Sequence, residues 1–519
     1  MESTIIEKAF SKGFIQWAWR NKVSAEYASY IRNWRIDNGS ITVRKWHLTQ
    51  IVDNTWTRCR GITANEQQGN LMIAKNSKLW KADTDIETWT EIDSIWDDSD
   101  ATFLNYGKYT MILKADETPY YYDGTTFAQI TDWTDIDTWE KPTIGTVFSG
   151  FTVIVSSIDK NKIIFSQPIV STDQARCWKW KTADGHKSER ITARSEVLGI
   201  LWTLNNMFVW TKGSVEYMDK NSINSINGTA ALYLNVMGEW DQLLSPKIPV
   251  SANDLAFYIT KDFVVKSIGY VSWTTNTTIW ELSDRELLNI KWFLETDLNA
   301  DQTESFGFRN GNVIQRHLKS ADSLINDIVL IYDITNDSWL CDNNKYFQSM
   351  VKFDTKICAG SILNSTIFRD NIWYDDDWSW IPFEYKTQRM SFGNPVTDKN
   401  FQGFEIAWEI NSLTSLNIDI LLDDSTINSL NIDWSEYSTD LWDNAIGDAP
   451  VWWDPIWWNL ASSDMTHFEK VADHWQVMLD GKSILLYIYG EEIWQRFYLD
   501  YLSFFVKGRV NSYELRDKF

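Results

Sequence analysis

The stretch YTMILKADETPYYYDGTTFAQI, residues 109–130, reads as a strand, a short polar turn and a second, aromatic strand closed by Asp-Gly. β-Branched and aromatic residues fill the strand positions, and Asp, Gly, Pro and Thr fill the turns, as hairpin chemistry requires. The same theme returns in FTVIVSSIDKNKIIFSQP (151–168), MFVWTKGSVEYMDK (207–220), LAFYITKDFVVKSIGYV (255–271) and DIVLIYDITNDSWLCD (327–342). KNSKLWKAD (75–83) and PYYYDGTTF (119–127) share an aromatic strand followed by Asp and a polar turn. Units begin near residues 70, 108, 151, 207, 255 and 312, a spacing of roughly 40 to 57 residues that matches a four-stranded propeller blade with insertions. One small sheet cannot bury both of its faces alone, whereas a ring of blades can. A single large sandwich with irregular loops is the competing arrangement, since period-two patterning alone allows it. The iteration of the hairpin theme favours a β-propeller of six or seven blades.

After residue 380 the texture changes. FEYKTQRMSF, FQGFEIAWEI, LNIDILLDD, SILLYIYG and RFYLDYLSFFVKGRV are longer, cleaner alternating strands, expected to form a C-terminal β-sandwich. The division that follows is an N-terminal arm with a lead-in strand over 1–45, a β-propeller over 46–380 and a β-sandwich over 381–519. The fold class is all-β. Helix is sparse: SDRELLNIKWFLETDL (283–298) has a Ser N-cap candidate, early acids and apolar spacing near 3.6 residues, which predicts one short helix.

The chain has 519 residues and a formal charge of -23, from 71 acidic against 48 basic residues. That balance argues against a nucleic-acid reader and against an anionic membrane surface, both of which need a basic face. Cys59, Cys177, Cys341 and Cys358 are far apart, with no CxxC pair, so neither a zinc site nor a disulfide scaffold is suggested. Reduced thiols in a protein made in the cytoplasm fit this pattern. MESTIIEKAFSKGF lacks the apolar core of a signal peptide, and no apolar run is long enough for a transmembrane helix.

Tryptophan is the anomaly. The chain has 31 Trp but only 23 Gly, where ordinary composition at about 7% glycine would give about 36. VWWDPIWWNL (451–460) doubles its largest side chain on both sides of Asp-Pro, where turns take small residues. Trp34, Trp96, Trp133, Trp139, Trp378, Trp380 and Trp434 also follow turn-type contexts in which glycine is usual. A bulky aromatic at positive φ is disfavoured. The expectation is that many of these tryptophans stand for glycine, through a UGA codon read as Gly in the source lineage. Trp89, Trp210 and Trp339, in or beside strand-like runs, read as genuine. The rival is an authentic Trp-rich surface for stacking on sugars.

Chemical signatures are scarce. GxGxxG, the P-loop, HExxH and the GxSxG elbow are all missing from the sequence. His47, His186, His317, His467 and His474 are scattered, and surface or packing roles are expected of them. Acidic clusters are the one constellation: Asp97, Asp98 and Asp100, and Asp375, Asp376 and Asp377. The second would become D-D-D-G-S-G if Trp378 and Trp380 were glycine, but it lacks the alternating ligands and distal Glu of a calcium loop. A solvated polar turn is expected there. Paired acids on a propeller would suit a glycosidase, the enzyme alternative. No catalytic, cofactor-binding or metal residue is assigned, no cofactor is expected, and the chain is read as a non-enzyme.

WYDDDWSWIPFEYKTQRMSFGNPVTDKNFQGFEI (373–406) resembles a segment of virion proteins of tailed bacteriophages, where a D-G turn, a Tyr/Thr strand and an FG-P element lead from propeller to sandwich. IRNWRIDNGSITVRKW (31–46) is similar to that family's opening segment, with Trp46 and Trp378 standing where the pattern has Gly. NMFVWTKGSVEYM (206–218), AALYLNVMGEWDQLLSPKIPVSANDLAFYITKD (230–262) and RFYLDYLSFFVKGRVNSYELRD (496–517) look like the stabilisation or tail-hub protein of short-tailed, podovirus-like phages. The resemblance implies a structural virion protein, a tail hub or head-completion component. It further implies a homo-oligomeric ring, with six copies, that closes the DNA exit below the portal and adaptor ring and docks a needle or spikes. The implied partners are phage tail proteins, with no sequence-specific nucleic acid and no membrane, and the implied location is the virion tail. An acidic lining of such a ring would let DNA slide without sticking.

Overall fold

The computed structural model describes residues 2–7, 28–37, 40–43, 47–51, 58–82, 86, 88–95, 98–130, 139–166, 189–220, 234–239, 242–270, 277–281, 290–364, 366–370, 382–390, 399–410, 415–423, 425–433, 469–481, 483–490 and 497–508. Seven antiparallel sheets of four strands each follow one another along the chain. We number these blades 1 to 7 by their innermost strands: Gly61–Asn65, Ala101–Tyr106, Gly145–Phe148, Val197–Trp202, Val250–Ala252, Phe306–Asn310 and Phe347–Phe353. Each innermost strand touches those of the blades on either side, and the blade 7 strand touches that of blade 1, so the ring closes. The protein contains a seven-bladed β-propeller.

Closure is made by the N-terminal side of the chain. His47–Ile51 forms the fourth strand of blade 7, pairing antiparallel with Ile367–Asp370 so that Ile51 faces Ile367 and His47 faces Asp370. Every blade is thereby complete, and no blade is left with an open ring edge.

The second strand of each blade is buried along nearly its whole length. Tyr109–Lys114 and Asn206–Thr211 are buried at every position, as is Phe151–Val155. Asn70–Lys75, Leu255–Ile259, Val313–Leu318 and Lys356–Ser361 are buried at every position but the first. Both faces of these strands meet a neighbouring blade, so apolar residues run on without alternation. Glycine allows the close approach of blades: a Cβ on Gly145 would lie 2.8 Å from the Val153 oxygen and 2.9 Å from Leu104 Cδ1 of blade 2.

Among the described residues, two larger antiparallel sheets accompany the propeller. One joins Ala28–Arg32, Phe383–Thr387, Ile484–Gly490, Ser415–Leu422 and Ser425–Asp433 in that order. The other runs through Trp34–Asp37, Ser40–Val43, Phe497–Gly508, Lys399–Ile410 and Glu469–Gly481, with Glu2–Glu7 also paired to Phe497–Gly508. Residues expected as an arm thus supply four strands to sheets otherwise built from the C-terminal part. The predicted helix over 283–298 is present as Lys291–Thr296, with Ile290 at its N-cap and no side-chain cap; the Ser283 candidate lies outside the described residues.

Candidate functional site

Charged residues immediately precede several innermost strands: Arg58 and Arg60 before blade 1, Asp98 and Asp100 before blade 2, Lys247 before blade 5, and Asp301 and Glu304 before blade 6. The ring brings them to one mouth of the propeller axis. Lys247 donates to Asp100 at 2.8 Å, from blade 5 to blade 2, and Gln348 at the start of blade 7 donates to the same carboxylate at 3.2 Å. Blades 2 and 5 are not neighbours, so this bond runs across the axis. Arg58 donates to Glu304 and lies 3.7 Å from Asp100, while Arg60 reaches Asp98 at 2.8 Å and Asp100 at 3.8 Å. Lys319 completes the group, 3.5 Å from Asp301 and 3.9 Å from Glu304.

Acids and bases at this mouth are matched one for one, which ties each carboxylate to a cation. The Thr303 amide and hydroxyl, together with Lys319, hold Asp301 below the usual carboxylate range. A cavity of about 170 Å³ opens beside the network, lined by Arg60, Lys247, Gln348, Thr63, Thr102, Ser349 and the apolar Ile62, Ala101 and Phe103. Its two charged lining groups, Arg60 and Lys247, are already paired with Asp98 and Asp100 of the network. The lining therefore suits neutral hydrogen-bonding occupants such as water.

Of the acids singled out in sequence, Asp98 and Asp100 belong to this network, and Asp97 lies outside the described residues. Asp375, Asp376 and Asp377 also lie outside them, as do Trp46, Trp96, Trp133, Trp378, Trp380, Trp434 and the 451–460 segment. Arg58, Arg60, Lys247 and Glu304 carried no sequence signal beyond being charged and lying just ahead of a strand. Their convergence is a property of the ring.

The remaining candidates are dispersed. His47 sits in the closing strand and His474 in Glu469–Gly481 opposite Glu405, while His186 and His467 fall outside the described residues. His317 is fully buried between Phe306 and Phe347. Burial pushes the thiols of Cys59 and Cys358 up to about 11 and that of Cys341 up to about 12, away from nucleophilic use. All three are free; Cys177 lies outside the described residues. Among the described residues no group of three or more His, Cys, Asp or Glu could hold a metal ion, and no helix is long and apolar enough to cross a membrane.

Tryptophans divide by environment. Trp210 and Trp339 are fully buried, and Trp89 is half-buried with the Lys75 ammonium 5.8 Å from its ring centre. Trp139, one of the turn tryptophans, is 79% exposed.

No model of a known protein family matches the chain, and no curated protein does. Similar solved structures include YCF48 bound to D1 peptide, at 9% identity and TM-score 0.42, covering 66% of this chain and 98% of that one. The Cps50 (Swd1) β-propeller domain of Myceliophteria thermophila matches at 7% identity and TM-score 0.40, covering 65% and 99%. The computationally designed Ika8 protein matches at 11% identity and TM-score 0.39, covering 66% and 96%. The propeller assignment rests on strand order and ring closure in this chain.

Proposed function

We propose that the protein is a structural component of a tailed-phage virion, a tail hub or head-completion protein that assembles with copies of itself and with other tail proteins. The resemblance of residues 31–46, 206–218, 230–262, 373–406 and 496–517 to that family motivates the reading. The observation that carries it is the build of the propeller: a closed ring whose axis mouth is filled by mutually neutralising ion pairs. Such a unit suits a rigid building block better than a catalyst, which keeps an uncompensated group for its substrate. The two larger sheets are read as layers of a C-terminal sandwich. Support comes from Phe401 of the six-stranded sheet, which is buried in the same cluster as Ile418, Ile420 and Leu486 of the five-stranded one. A ring of six copies, docking to a portal or adaptor ring and to a needle or spikes, belongs to the same proposal.

Tryptic mass spectrometry of purified particles tests it through the peptide SILLYIYGEEIWQR (483–496). Its presence at a fixed small copy number per particle is the expected result. Presence in infected cells but absence from particles would overturn the structural role. No observation among the described residues favours the glycosidase.

A further inference from the structure

We propose that residues 28–37 act as a strap whose seating on blade 6 is relayed, through a buried chain of charges, to the strand that closes the propeller. The chain leaves the five-stranded sheet at Arg32 and enters the six-stranded sheet at Trp34, so Asn33 is the pivot between them. Asn33 is buried, with φ at 61°, and its side chain is fully used. Its amide donates to the Cys341 carbonyl at 2.8 Å, its Nδ2 donates to Asn343 Oδ1 at 2.5 Å and to the Pro382 carbonyl at 2.6 Å, and its Oδ1 accepts from the Asn343 amide at 3.0 Å. Cys341 and Asn343 belong to Ser338–Asn343, the outermost strand of blade 6.

Two residues on, Arg35 forks onto Asp342 with bonds of 2.6 and 2.5 Å. Asp342 in turn lies 3.5 Å from Lys345, and Lys345 donates to Asp370 at 2.8 Å; the last three side chains are fully buried. Asp370 ends the blade 7 strand that receives His47–Ile51. The series Arg35, Asp342, Lys345, Asp370 therefore alternates in sign from the strap to the ring closure.

Sign balance is what couples the two ends. Among these four side chains, two cations answer two carboxylates. Without Arg35, Asp342 loses its forked partner and leans more heavily on Lys345, the buried cation that it shares with Asp370. The strand next to Asp370 then bears a cost that originates at a residue it does not touch. Ring closure and the attachment of the two larger sheets become one cooperative event.

Hydrogen exchange read by mass spectrometry on the full chain tests the relay, with Arg35→Met, Lys345→Met and, as a control, Lys78→Met, which breaks the half-exposed Lys78–Glu91 pair in blade 1. Arg35→Met is expected to speed exchange at residues 47–51 and 367–370 by about tenfold or more, as is Lys345→Met. The control variant, and residues 109–114 of blade 2 in every variant, should keep wild-type exchange. Acceleration confined to 28–37 and 338–343 in Arg35→Met would overturn the relay, and so would a uniform rise across all blades. Should Arg35→Met not fold, Arg35→Lys keeps the charge and loses the fork. It should then raise exchange at 47–51 by a smaller factor, and wild-type rates there would equally overturn the proposal.

Discussion

The imidazole of His317 lies flat against the ring of Phe306, with centroids 4.4 Å apart and planes 4° from parallel. Phe347 of blade 7 closes over it at 5.6 Å. Neither ring nitrogen has a hydrogen-bond partner among the described residues. Burial first, then the nearby Lys345, push its pKa well below the ordinary 6.5, against a smaller opposite pull from Asp342. The seam between blades 6 and 7 thus holds a histidine that behaves as an aromatic packing residue.

This arrangement makes stability depend on pH with a defined sign. Above about 6.5 neither state binds the proton; below it the unfolded chain binds one and the folded chain does not. His317 therefore costs about 1.4 kcal/mol per pH unit as pH falls below 6.5. His317→Phe keeps the stack and removes the unpartnered nitrogens, so it should be neutral or stabilising at pH 7.5. Urea unfolding at pH 7.5 and 5.5 checks this: the gain of His317→Phe over wild type should grow towards acid. A gain that is constant across the range would show that the imidazole titrates normally in the fold.

Gly145→Ala should lower stability by about 1 to 3 kcal/mol, because the added carbon meets a carbonyl oxygen and a leucine methyl that cannot both yield. Thermal unfolding measures it. The parallel substitution Gly150→Ala meets nothing within 4 Å, but Gly150 has φ at +85°, so its cost would be backbone strain rather than blade overlap.

Replacement of tryptophan by glycine should separate two classes. Trp339→Gly removes a fully buried ring that packs on Tyr332 at 4.6 Å, and should cost at least about 3 to 5 kcal/mol. Trp139→Gly, at a mostly exposed position, should change stability by about 0.5 kcal/mol or less. Calorimetry of the two variants tests the contrast. In native protein, a glycine mass at position 494 of the 483–496 peptide would support recoding, and a tryptophan mass there would return the Trp-rich surface to consideration.

Asp100→Asn removes the charge on which Lys247, Arg58 and Arg60 converge. Loss of about 1 to 3 kcal/mol is expected, with the deficit shrinking in high salt because the network is about one-third exposed. Denaturation at low and high ionic strength reads both effects.

Much of the propeller was legible in sequence, for a reason visible in the second strands. MFVWT, TMILK and TVIV are apolar on both faces because both faces are covered, and such runs stand out between polar turns. The expected unit starts near 70, 108, 151, 207, 255 and 312 fall at or within one residue of the second strands of blades 1 to 6. Innermost strands such as Val250–Ala252 are too short to announce themselves. Blade 7 escaped the pattern because its fourth strand comes from residues 47–51, more than 300 positions away from Ile367–Asp370.

By itself, the order of residues determined that the chain is all-β, that its units repeat at blade spacing, that the texture changes after residue 380, and that no familiar catalytic motif is present. These are local properties, set by side-chain type and alternation along a strand. Only the tertiary structure decided that there are seven blades, that the N-terminal side closes the ring, that Asp98 and Asp100 meet Arg60 and Lys247 at one mouth of the axis, and that Arg35 meets Asp342. Each of these joins groups distant in sequence, and a charge or a strand edge carries no mark of its partner. The partner is chosen by the burial of the whole ring, which leaves each buried charge the opposite charge that the fold brings beside it.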